Sequence, residues 1–424
     1  MSKLTNYAKI ILGGTPSTNR PDFWDGEIPW VSVVDFTYSK KIYTTEKTIT
    51  ESGLNQSNTK LLNEGDIIVS ARGTVGKVAV CGGKMAFNQS CYALLSKDNN
   101  KLNQNFLFYL LQEKVKYLRQ MSVGGVFNTI IKSTLEKIPV ELPDILTQEK
   151  IADILSNYDD LIDTNRRRIQ LLEESARLLF REWFVYFRFP RLRQGYDGQA
   201  GHEKVHLVRK FDSNGVKIVN RDGRKIPSEW DYLPFTKIKI FKKAPLGVPV
   251  FTDIRQYYQT SEIDGTSITG NGEEVDYENR PSRANIAPRI NTIYFAKMKD
   301  TDKVLYFNKG NTYLLEKVLL STGMVGFTTD EKYLGFLFGL LTSYEFVQYK
   351  NNFATGATQV SLNDASLKKI KVLFPTLNLV ELYSEIVNPL LEECSLLRSQ
   401  NQKLAQARDL LLPRLMSGEI DPVR

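Results

Sequence analysis

The sequence predicts an α+β protein in which two similar α/β domains are joined by two long helices that form an antiparallel coiled coil. Two observations carry this prediction. The pattern L-x-K-I-x-V-x-x-P runs from Leu135 to Pro143 and returns from Leu367 to Pro375, which is 232 residues later. Behind each proline, apolar residues recur at alternating spacings of four and three, the heptad pattern of paired helices. A repeat this long is not a solenoid, so each copy is a domain with its own helix.

The first domain is predicted at 1–145 and has a mixed α/β pattern. The runs Asp66–Val69 and Lys77–Val80 predict strands, and Asn105–Arg119 predicts a helix late in the domain. The segment Gly73-Thr74-Val75-Gly76-Lys77 is similar to a phosphate loop, but it lacks the full spacing and lies between two strand-like runs. We therefore interpret it as a hairpin turn.

The first long helix is predicted at 146–187, and the second helix with the C-terminal tail at 376–424. Asp144 and Thr147 have the spacing of a helix N-cap. Pro389 is expected to kink the second helix or delay its start, Pro413 to loosen its last turn, and Gly418 to end it. The predicted seam consists of Ile151, Leu155, Ile162, Asn165, Leu172 and Leu179 in the first helix and Val387, Leu390, Leu397, Asn401, Leu404 and Leu411 in the second.

The remaining sequence divides into a linker and a second domain. Residues 188–225 are predicted to be a basic linker without periodicity, and 226–375 a second α/β domain. Its strand candidate Thr292–Phe295 matches Asp66–Val69 in place and pattern, and Tyr333–Tyr349 predicts its late helix. The apolar residues that end the first helix are interpreted as core or as a docking patch, with core favoured: Phe180, Trp183, Phe184 and Phe187.

Composition and charge limit the classes of function. The chain is 42% hydrophobic and contains no apolar run long enough for a membrane span or a signal peptide. The three cysteines lack metal-type spacing, which predicts a reducing, cytoplasmic location. The formal net charge of +8 is compatible with a nucleic-acid partner without being diagnostic of one.

No catalytic or metal-binding constellation is found in the sequence. Its two histidines, His202 and His206, lie in the linker and are too few for a histidine-metal nuclease. Asn388-Pro389-Leu390 lacks the second proline and the aromatic residue of an amino-methyltransferase motif. Two alternatives stay open: a nuclease or methyltransferase with an unrecognised motif, and a coiled-coil scaffold that binds only proteins. Catalysis by the purified chain would support the first alternative. DNA binding that prefers one sequence and weakens steeply with salt would exclude the second, because a scaffold that binds only proteins does not neutralise phosphates.

Several segments together resemble the specificity subunit of Type I restriction–modification enzymes. They include Gly13-Gly14-Thr15-Pro16-Ser17-Thr18 with W-x-G-x-I-P-W from Trp24 to Trp30, and the run from Ser70 to Lys77. Ile226-Pro227-Ser228-Glu229-Trp230 resembles the entry to a second recognition domain. The most specific segment is R-D-L-L-L-P-R-L-M-S-G-E-I, from Arg408 to Ile420.

The resemblance implies a non-catalytic subunit that binds double-stranded DNA sequence-specifically. Two target-recognition domains would each read one half of a bipartite target, and the helix pair would set the gap and dock two methyltransferase subunits. Motor–nuclease restriction subunits would join for cleavage. No cofactor is expected in this chain, because S-adenosylmethionine would be bound by the partner methyltransferase. The second domain has no Gly-Gly-Thr-Pro-Ser counterpart, which predicts that the two half-sites differ.

The candidate DNA-binding residues are chosen by the chemistry of base and phosphate recognition. Arginine and lysine pair with guanine, and asparagine and glutamine with adenine, while phosphates accept from Lys, Arg, Ser and Thr. For each position a solvated loop residue is the competing interpretation. The candidates are Arg72, Thr74, Lys77, Asn88, Gln89 and Asn128 in the first domain and Arg280, Arg283, Arg289, Thr358 and Gln359 in the second.

Overall fold

The computed structural model describes residues 2–36, 39–72, 76–121, 130–195, 204–208, 218–221, 224–356 and 360–422. The chain divides into two compact units, Met1–Asn165 with Gln400–Arg424, and Arg166–Ser399. Each long helix therefore contributes one segment to each unit. The predicted α+β class is confirmed, whereas the domain boundaries drawn from the sequence stay predictions.

The helices follow the apolar periodicity of the sequence in most places. The expected helix at 105–119 is confirmed, but the one expected at 333–349 is two helices. Ser343 separates them, because its hydroxyl accepts a hydrogen bond from the Phe346 amide at 3.2 Å and so begins a new helix. The helices are α1 (Glu51–Asn55), α2 (Gln104–Met121), α3 (Lys132–Glu136), α4 (Ile145–Phe180), α5 (Glu331–Leu341), α6 (Tyr344–Phe353), α7 (Asp364–Leu367) and α8 (Leu377–Met416).

The first unit contains two β-sheets. The larger sheet has the strand order β2-β10-β7-β8-β4, the smaller has β5-β3-β9-β6, and β1 pairs with β11. The strands are β1 (Ser2–Lys3), β2 (Ala8–Leu12), β3 (Trp24–Val31), β4 (Lys41–Ile42), β5 (Lys47–Ile49), β6 (Leu61–Leu62), β7 (Ile67–Ser70), β8 (Val78–Cys81), β9 (Met85–Phe87), β10 (Cys91–Ser96) and β11 (Pro139–Val140).

The segment predicted to be a basic linker without periodicity contains paired strands. Arg191–Gly195 (β12) pairs with Lys204–Val208 (β13), and Ile218–Arg221 (β14) pairs with Arg224–Pro227 (β15), both antiparallel. Its role as a linker stays a prediction. Lys204-Val205-His206-Leu207-Val208 carries a short alternation of apolar and polar residues, which is typical of a strand.

The second unit repeats the strand order of the first, except that its larger sheet has four strands and lacks a counterpart of β4. Its sheets have the orders β17-β26-β23-β24 and β21-β18-β25-β22, and β16 pairs with β27. The central pair of each smaller sheet is parallel, β3 with β9 and β18 with β25. The strands are β16 (Asp231–Pro234), β17 (Lys242–Lys243), β18 (Arg255–Tyr258), β19 (Ile263–Asp264), β20 (Ser267–Ile268), β21 (Glu273–Val275), β22 (Ala284–Ile286), β23 (Thr292–Ala296), β24 (Val304–Phe307), β25 (Val318–Ser321), β26 (Met324–Thr328) and β27 (Lys371–Phe374).

The ends of the two long helices agree with the sequence, but the interior of α8 does not. Asp144 caps α4, since its carboxylate accepts from the Thr147 amide at 3.0 Å and from the Thr147 hydroxyl at 2.7 Å. Gly418, with φ of 75°, follows the end of α8. The late start that was one of two expectations for Pro389 is wrong, because α8 runs unbroken from Leu377 to Met416, and the kink stays a prediction. Both prolines are exposed, so water can satisfy the carbonyls whose helical bonds they remove.

The aromatic residues that end the first long helix belong to a core. Trp183 is fully buried, and Phe180 and Phe184 are 5% and 7% exposed. They pack in one apolar cluster with Phe336 of α5 and Tyr383 of α8, within the second unit. Phe187 is half-buried against the same cluster. The structure thus favours the core interpretation over a docking patch.

The three cysteines are free and fully buried, and burial raises the pKa of each thiol. The pKa rises to about 12 for Cys81 and Cys91 and to about 11 for Cys394. Because the thiolate is the reactive form, we expect no labelling of the native chain by a thiol reagent at pH 8 and three labelled thiols after unfolding. Mass spectrometry before and after denaturant measures this, and labelling of the native chain would contradict the burial.

Candidate nucleic-acid interface

The segment from Ser70 to Lys77 is the connection of a β-hairpin. Ile67 pairs with Val80 and Val69 with Val78, so a strand follows the turn and the phosphate-loop alternative is wrong. Ser70 closes the connection, because its carbonyl accepts from the Gly76 amide at 2.8 Å and its hydroxyl from the Lys77 amide at 2.8 Å. Of the candidates, Thr74, Asn128, Thr358 and Gln359 lie outside the described residues.

Two candidates of the first domain, Arg72 and Gln89, line one cleft. Its volume is about 310 Å³, and it is also lined by Leu12, Ala71, Tyr92, Ile130 and Ile131. The chain segments meet there because the Ala71 amide donates to the Ser90 carbonyl at 2.8 Å and the Ile130 amide to the Ala71 carbonyl at 3.0 Å. A cation, an amide and exposed apolar walls in one cleft suit the edge of a base pair, including a thymine methyl group.

Asn88 holds the turn that presents Gln89. Its side-chain oxygen accepts from the Ser90 amide at 2.9 Å, while Gln89 is exposed at the tip. The neighbouring Gly13 requires glycine, since a Cβ atom there would lie 2.1 Å from the Asn88 carbonyl oxygen. The Gly-Gly pair of the first domain therefore allows close packing against this turn.

Lys77 has a counterpart that the sequence comparison missed. The Lys77 ammonium donates to the Phe36 carbonyl at 2.8 Å, and the Lys303 ammonium donates to the Thr260 carbonyl at 2.9 Å. Each lysine directly precedes the second strand of its hairpin, β8 or β24. The alignment of Thr292–Phe295 with Asp66–Val69, extended by eight residues, would have found Lys303. In both units the lysine ties the hairpin to an earlier loop.

The arginine candidates of the second domain lie on both sides of β22. Arg280 packs its guanidinium 4.1 Å from the Tyr277 ring centre and donates to the Tyr277 carbonyl, so it is partly engaged. Arg283 and Arg289 are exposed, one before and one after the strand. Unlike Arg72 and Gln89, they are not grouped in a common cleft of the described residues.

Lys297 is a further basic residue that the sequence comparison missed. It directly follows β23, as Ala71 follows β7. Burial lowers the pKa of Lys297, and the positive charges of Lys243 and Arg283 lower it further, while the Asp364 carboxylate raises it. Lys243 in turn binds the Asp364 carboxylate at 2.6 Å. Lys297 and Arg283 thus form a basic group near the hairpin of the second domain.

In the first unit, α4 and α8 meet through a polar contact within an apolar seam. Asn165 donates through its amide to the Asn401 side-chain oxygen at 2.9 Å, and Asn401 donates to the Ile162 carbonyl at 3.2 Å. Ile151, Leu155 and Ile162 are at most 3% exposed. A paired asparagine inside an apolar seam favours one register.

In the second unit, the two helices also run antiparallel. Tyr383 donates to the Ala176 carbonyl at 2.7 Å, and Cys394 lies 3.8 Å from the Ile169 carbonyl. Val387 and Leu397 are buried, and Leu172 and Leu179 are partly buried against the same core. Arg168 forms an exposed ion pair with Glu393, in line with a solvated face at Arg166–Arg168.

The seam of α8 is displaced by one residue at two places. Leu390 is half-buried while Leu391 is fully buried, and Leu411 is half-buried while Leu412 is 1% exposed. Leu404 is also half-buried. The reason is that α8 packs on its α/β domain as well as on α4, so its apolar face is wider than a heptad seam.

Known proteins are similar to this chain in sequence and in fold. Residues 1–174 match the family model described as "Type I restriction modification DNA specificity domain". The chain is 24% identical to the Type I restriction enzyme MjaIX specificity subunit of Methanocaldococcus jannaschii, over 99% of this chain and 93% of that protein. It is also 24% identical to the HindI specificity subunit of Haemophilus influenzae, over 78% of this chain and 80% of the relative.

A solved structure has the same fold. The crystal structure of a Type I restriction–modification S subunit from M. genitalium superposes with a TM-score of 0.52 at 15% identity, over 98% of this chain and 95% of that one. The first 174 residues therefore match a DNA specificity domain, and the whole chain is similar to specificity subunits of Type I restriction–modification systems. These relatives agree with the expectation of a recognition subunit. Among the described residues, no helix is long and apolar enough to cross a membrane.

Proposed function

We propose that the chain reads a bipartite double-stranded DNA target, one half with each α/β domain, and that α4 and α8 set the gap between the halves. The shared strand order of the two domains carries this proposal, because two copies of one scaffold with different loops suit two different half-sites. Arg72 and Gln89 would read bases in the first half-site. Arg283, Arg289 and Lys297 would contact the second half-site.

The proposed partners are those that the resemblance to specificity subunits implies. Two methyltransferase subunits would dock on the helices and bind S-adenosylmethionine, and motor–nuclease subunits would join them for cleavage in the cytoplasm. Exposed leucines on the helices support docking: Leu171 and Leu178, seven residues apart on α4, are 51% and 41% exposed, and Leu396 and Leu410 on α8 are 53% and 71% exposed. Exposed apolar groups at helical spacing are typical of a surface that another helix covers.

Arg72→Ala tests the base-reading cleft. We expect it to weaken binding to the selected target by about 1–3 kcal/mol, roughly five- to 150-fold, because a paired donor to guanine is lost. The affinity for unrelated DNA should change little. The measurement is fluorescence anisotropy of duplexes that the full-length chain selects from a random library, over a range of salt concentrations.

Arg167→Ala is the matched control for charge, since Arg167 is exposed on α4 and is bonded to Gln170 of the same helix. It should leave the preference for the selected target unchanged. If Arg72→Ala bound the target as the parent chain does, Arg72 would not read a base. If the parent chain showed neither sequence preference nor a steep salt dependence, the DNA-reading function itself would be contradicted.

A further inference from the structure

Each unit contains a buried cluster of an acid, an arginine and a tyrosine where its α/β domain meets the two long helices. In the first unit these are Asp159 of α4, Arg408 of α8 and Tyr109 of α2. In the second they are Glu173 of α4, Arg398 of α8 and Tyr306 of β24. We refer to these two groups, with the polar side chains that bind them, as the domain clamps.

The first clamp is closed by hydrogen bonds from three directions. Asp159, 4% exposed, accepts from the Tyr109 hydroxyl at 2.5 Å and from Arg408. Lys40, which precedes β4, donates to the Tyr109 oxygen and to the Ser156 hydroxyl, each at 3.0 Å. Burial raises the pKa of Tyr109, and the Asp159 carboxylate adds to the rise, so the phenol stays a donor. The domain is thereby bonded to both helices.

The second clamp has the same plan with different partners. Arg398 donates to the Tyr306 oxygen at 2.5 Å and to Glu173 at 2.6 Å. Tyr306 donates to Glu173 at 3.0 Å, and Thr266 donates to the other oxygen of the same carboxylate at 2.7 Å. Tyr306 and the Glu173 side chain are 3% and 5% exposed. Both carboxylate oxygens thus have donors from the domain.

The duplication does not account for this likeness. At the repeat offset of 232 residues, Asp159 corresponds to Leu391 and Glu173 to Ala405. In both clamps the acid nevertheless lies on α4, the arginine on α8 and the tyrosine in the domain. Equivalent chemistry at non-equivalent positions indicates that both units need a rigid joint between domain and helices.

We propose that the domain clamps fix the angle at which each domain leaves the helices, and that they thereby select the gap between the two half-sites. The proposal rests on the bipartite reading proposed above. Apolar packing holds the domains on the helices, but hydrophobic burial is non-directional and permits small rotations. Charge-assisted hydrogen bonds are short and directional, so they permit one orientation. The clamp residues are therefore positioning residues, not base-reading ones.

Removal of a single hydroxyl from each clamp tests the proposal. Tyr109→Phe and Tyr306→Phe keep the buried ring and remove the hydrogen bonds that the tyrosine oxygen makes with the acid and the neighbouring cation. The matched control is Tyr294→Phe, since Tyr294 is equally buried in the second domain and its hydroxyl makes a long 3.4 Å bond to a main-chain carbonyl, that of Ala287, instead of a bond to a charged side chain. Each full-length variant is used to select duplexes from a random DNA library, and thermal unfolding verifies that it is folded.

We expect the parent chain and Tyr294→Phe to select targets with one gap length. Both clamp variants should select the same half-sites, but with gaps of the parent length and of neighbouring lengths. The preference for the parent gap over one a base pair longer should fall about tenfold, the loss typical of a hydrogen bond to a charged group. Thr266→Val repeats the test at the second clamp with a nearly isosteric change, if Tyr306→Phe does not fold.

The outcomes are distinguishable. If the parent chain selects no paired half-sites, the bipartite reading fails. If it selects them and folded clamp variants keep the parent preference for gap length, the clamp proposal is overturned and the bipartite reading stands. Altered half-site sequences in a clamp variant would also overturn it, because the clamp would then act in base recognition.

Discussion

Arg398→Met is expected to lower the free energy of unfolding by about 3 kcal/mol, because it leaves Glu173 as a buried carboxylate without its main counterion. The Glu173 side chain is only 5% exposed, and Arg398 binds it at 2.6 Å. Arg177 lies 3.5 Å from the other carboxylate oxygen and is 32% exposed, which keeps the loss at the lower end of the range for broken buried pairs. Denaturation in urea measures the change.

The double variant Glu173→Gln with Arg398→Met should recover most of that stability, because no buried charge is left unpaired. Arg168→Met is the control for an exposed pair. Arg168 and its partner Glu393 are about half exposed, at 52% and 46%. Loss of this ion pair should lower the free energy of unfolding by less than about 1 kcal/mol. If Arg398→Met and the double variant had equal free energies of unfolding, Glu173 and Arg398 would not be a coupled buried ion pair.

A seven-residue insertion in each long helix is expected to lengthen the gap of the target and leave its half-sites unchanged. We would place one heptad between Asn165 and Arg166 and the other between Ser399 and Gln400, where the chain passes from one compact unit to the other. Seven residues add about 10 Å of helix, which corresponds to up to about three base pairs of duplex. The half-sites should persist because Arg72 and Gln89 lie outside the insertion.

The gap would be measured by mapping methylated adenines with the cognate methyltransferase present. A heptad in only one helix is the control, because the two helices then differ in length between the two units. The helix contacts of the first unit, such as Asn165 with Asn401, and those of the second unit cannot then all be kept. That variant should lose recognition of the paired half-sites. If the methyltransferase with the doubly extended variant still methylated targets of the parent gap, the helices would be excluded as the determinant of spacing.

Local signals account for the parts of the fold that were predicted correctly. The capping of α4 by Asp144, the end of α8 at Gly418 and the hairpin after Ser70 each depend on residues within a few positions of one another. The late start expected at Pro389 was wrong because helix continuity depends on packing along all of α8, which outweighs one lost hydrogen bond. Leu391 and not Leu390 is buried in the core because α8 packs on its α/β domain as well as on α4.

The duplication and the α+β class could be predicted from the sequence, because both depend on spacings along the chain, and the family resemblance depends on short motifs. Which charged side chains meet could be seen only in the folded structure. Asp159 and Arg408 are 249 residues apart, and Glu173 and Arg398 are 225 apart, and neither pair follows the repeat. Such pairs depend on how helices and sheets pack, so no local pattern records them. The same holds for Arg72 and Gln89, which share a cleft because separate backbone segments meet at Ala71.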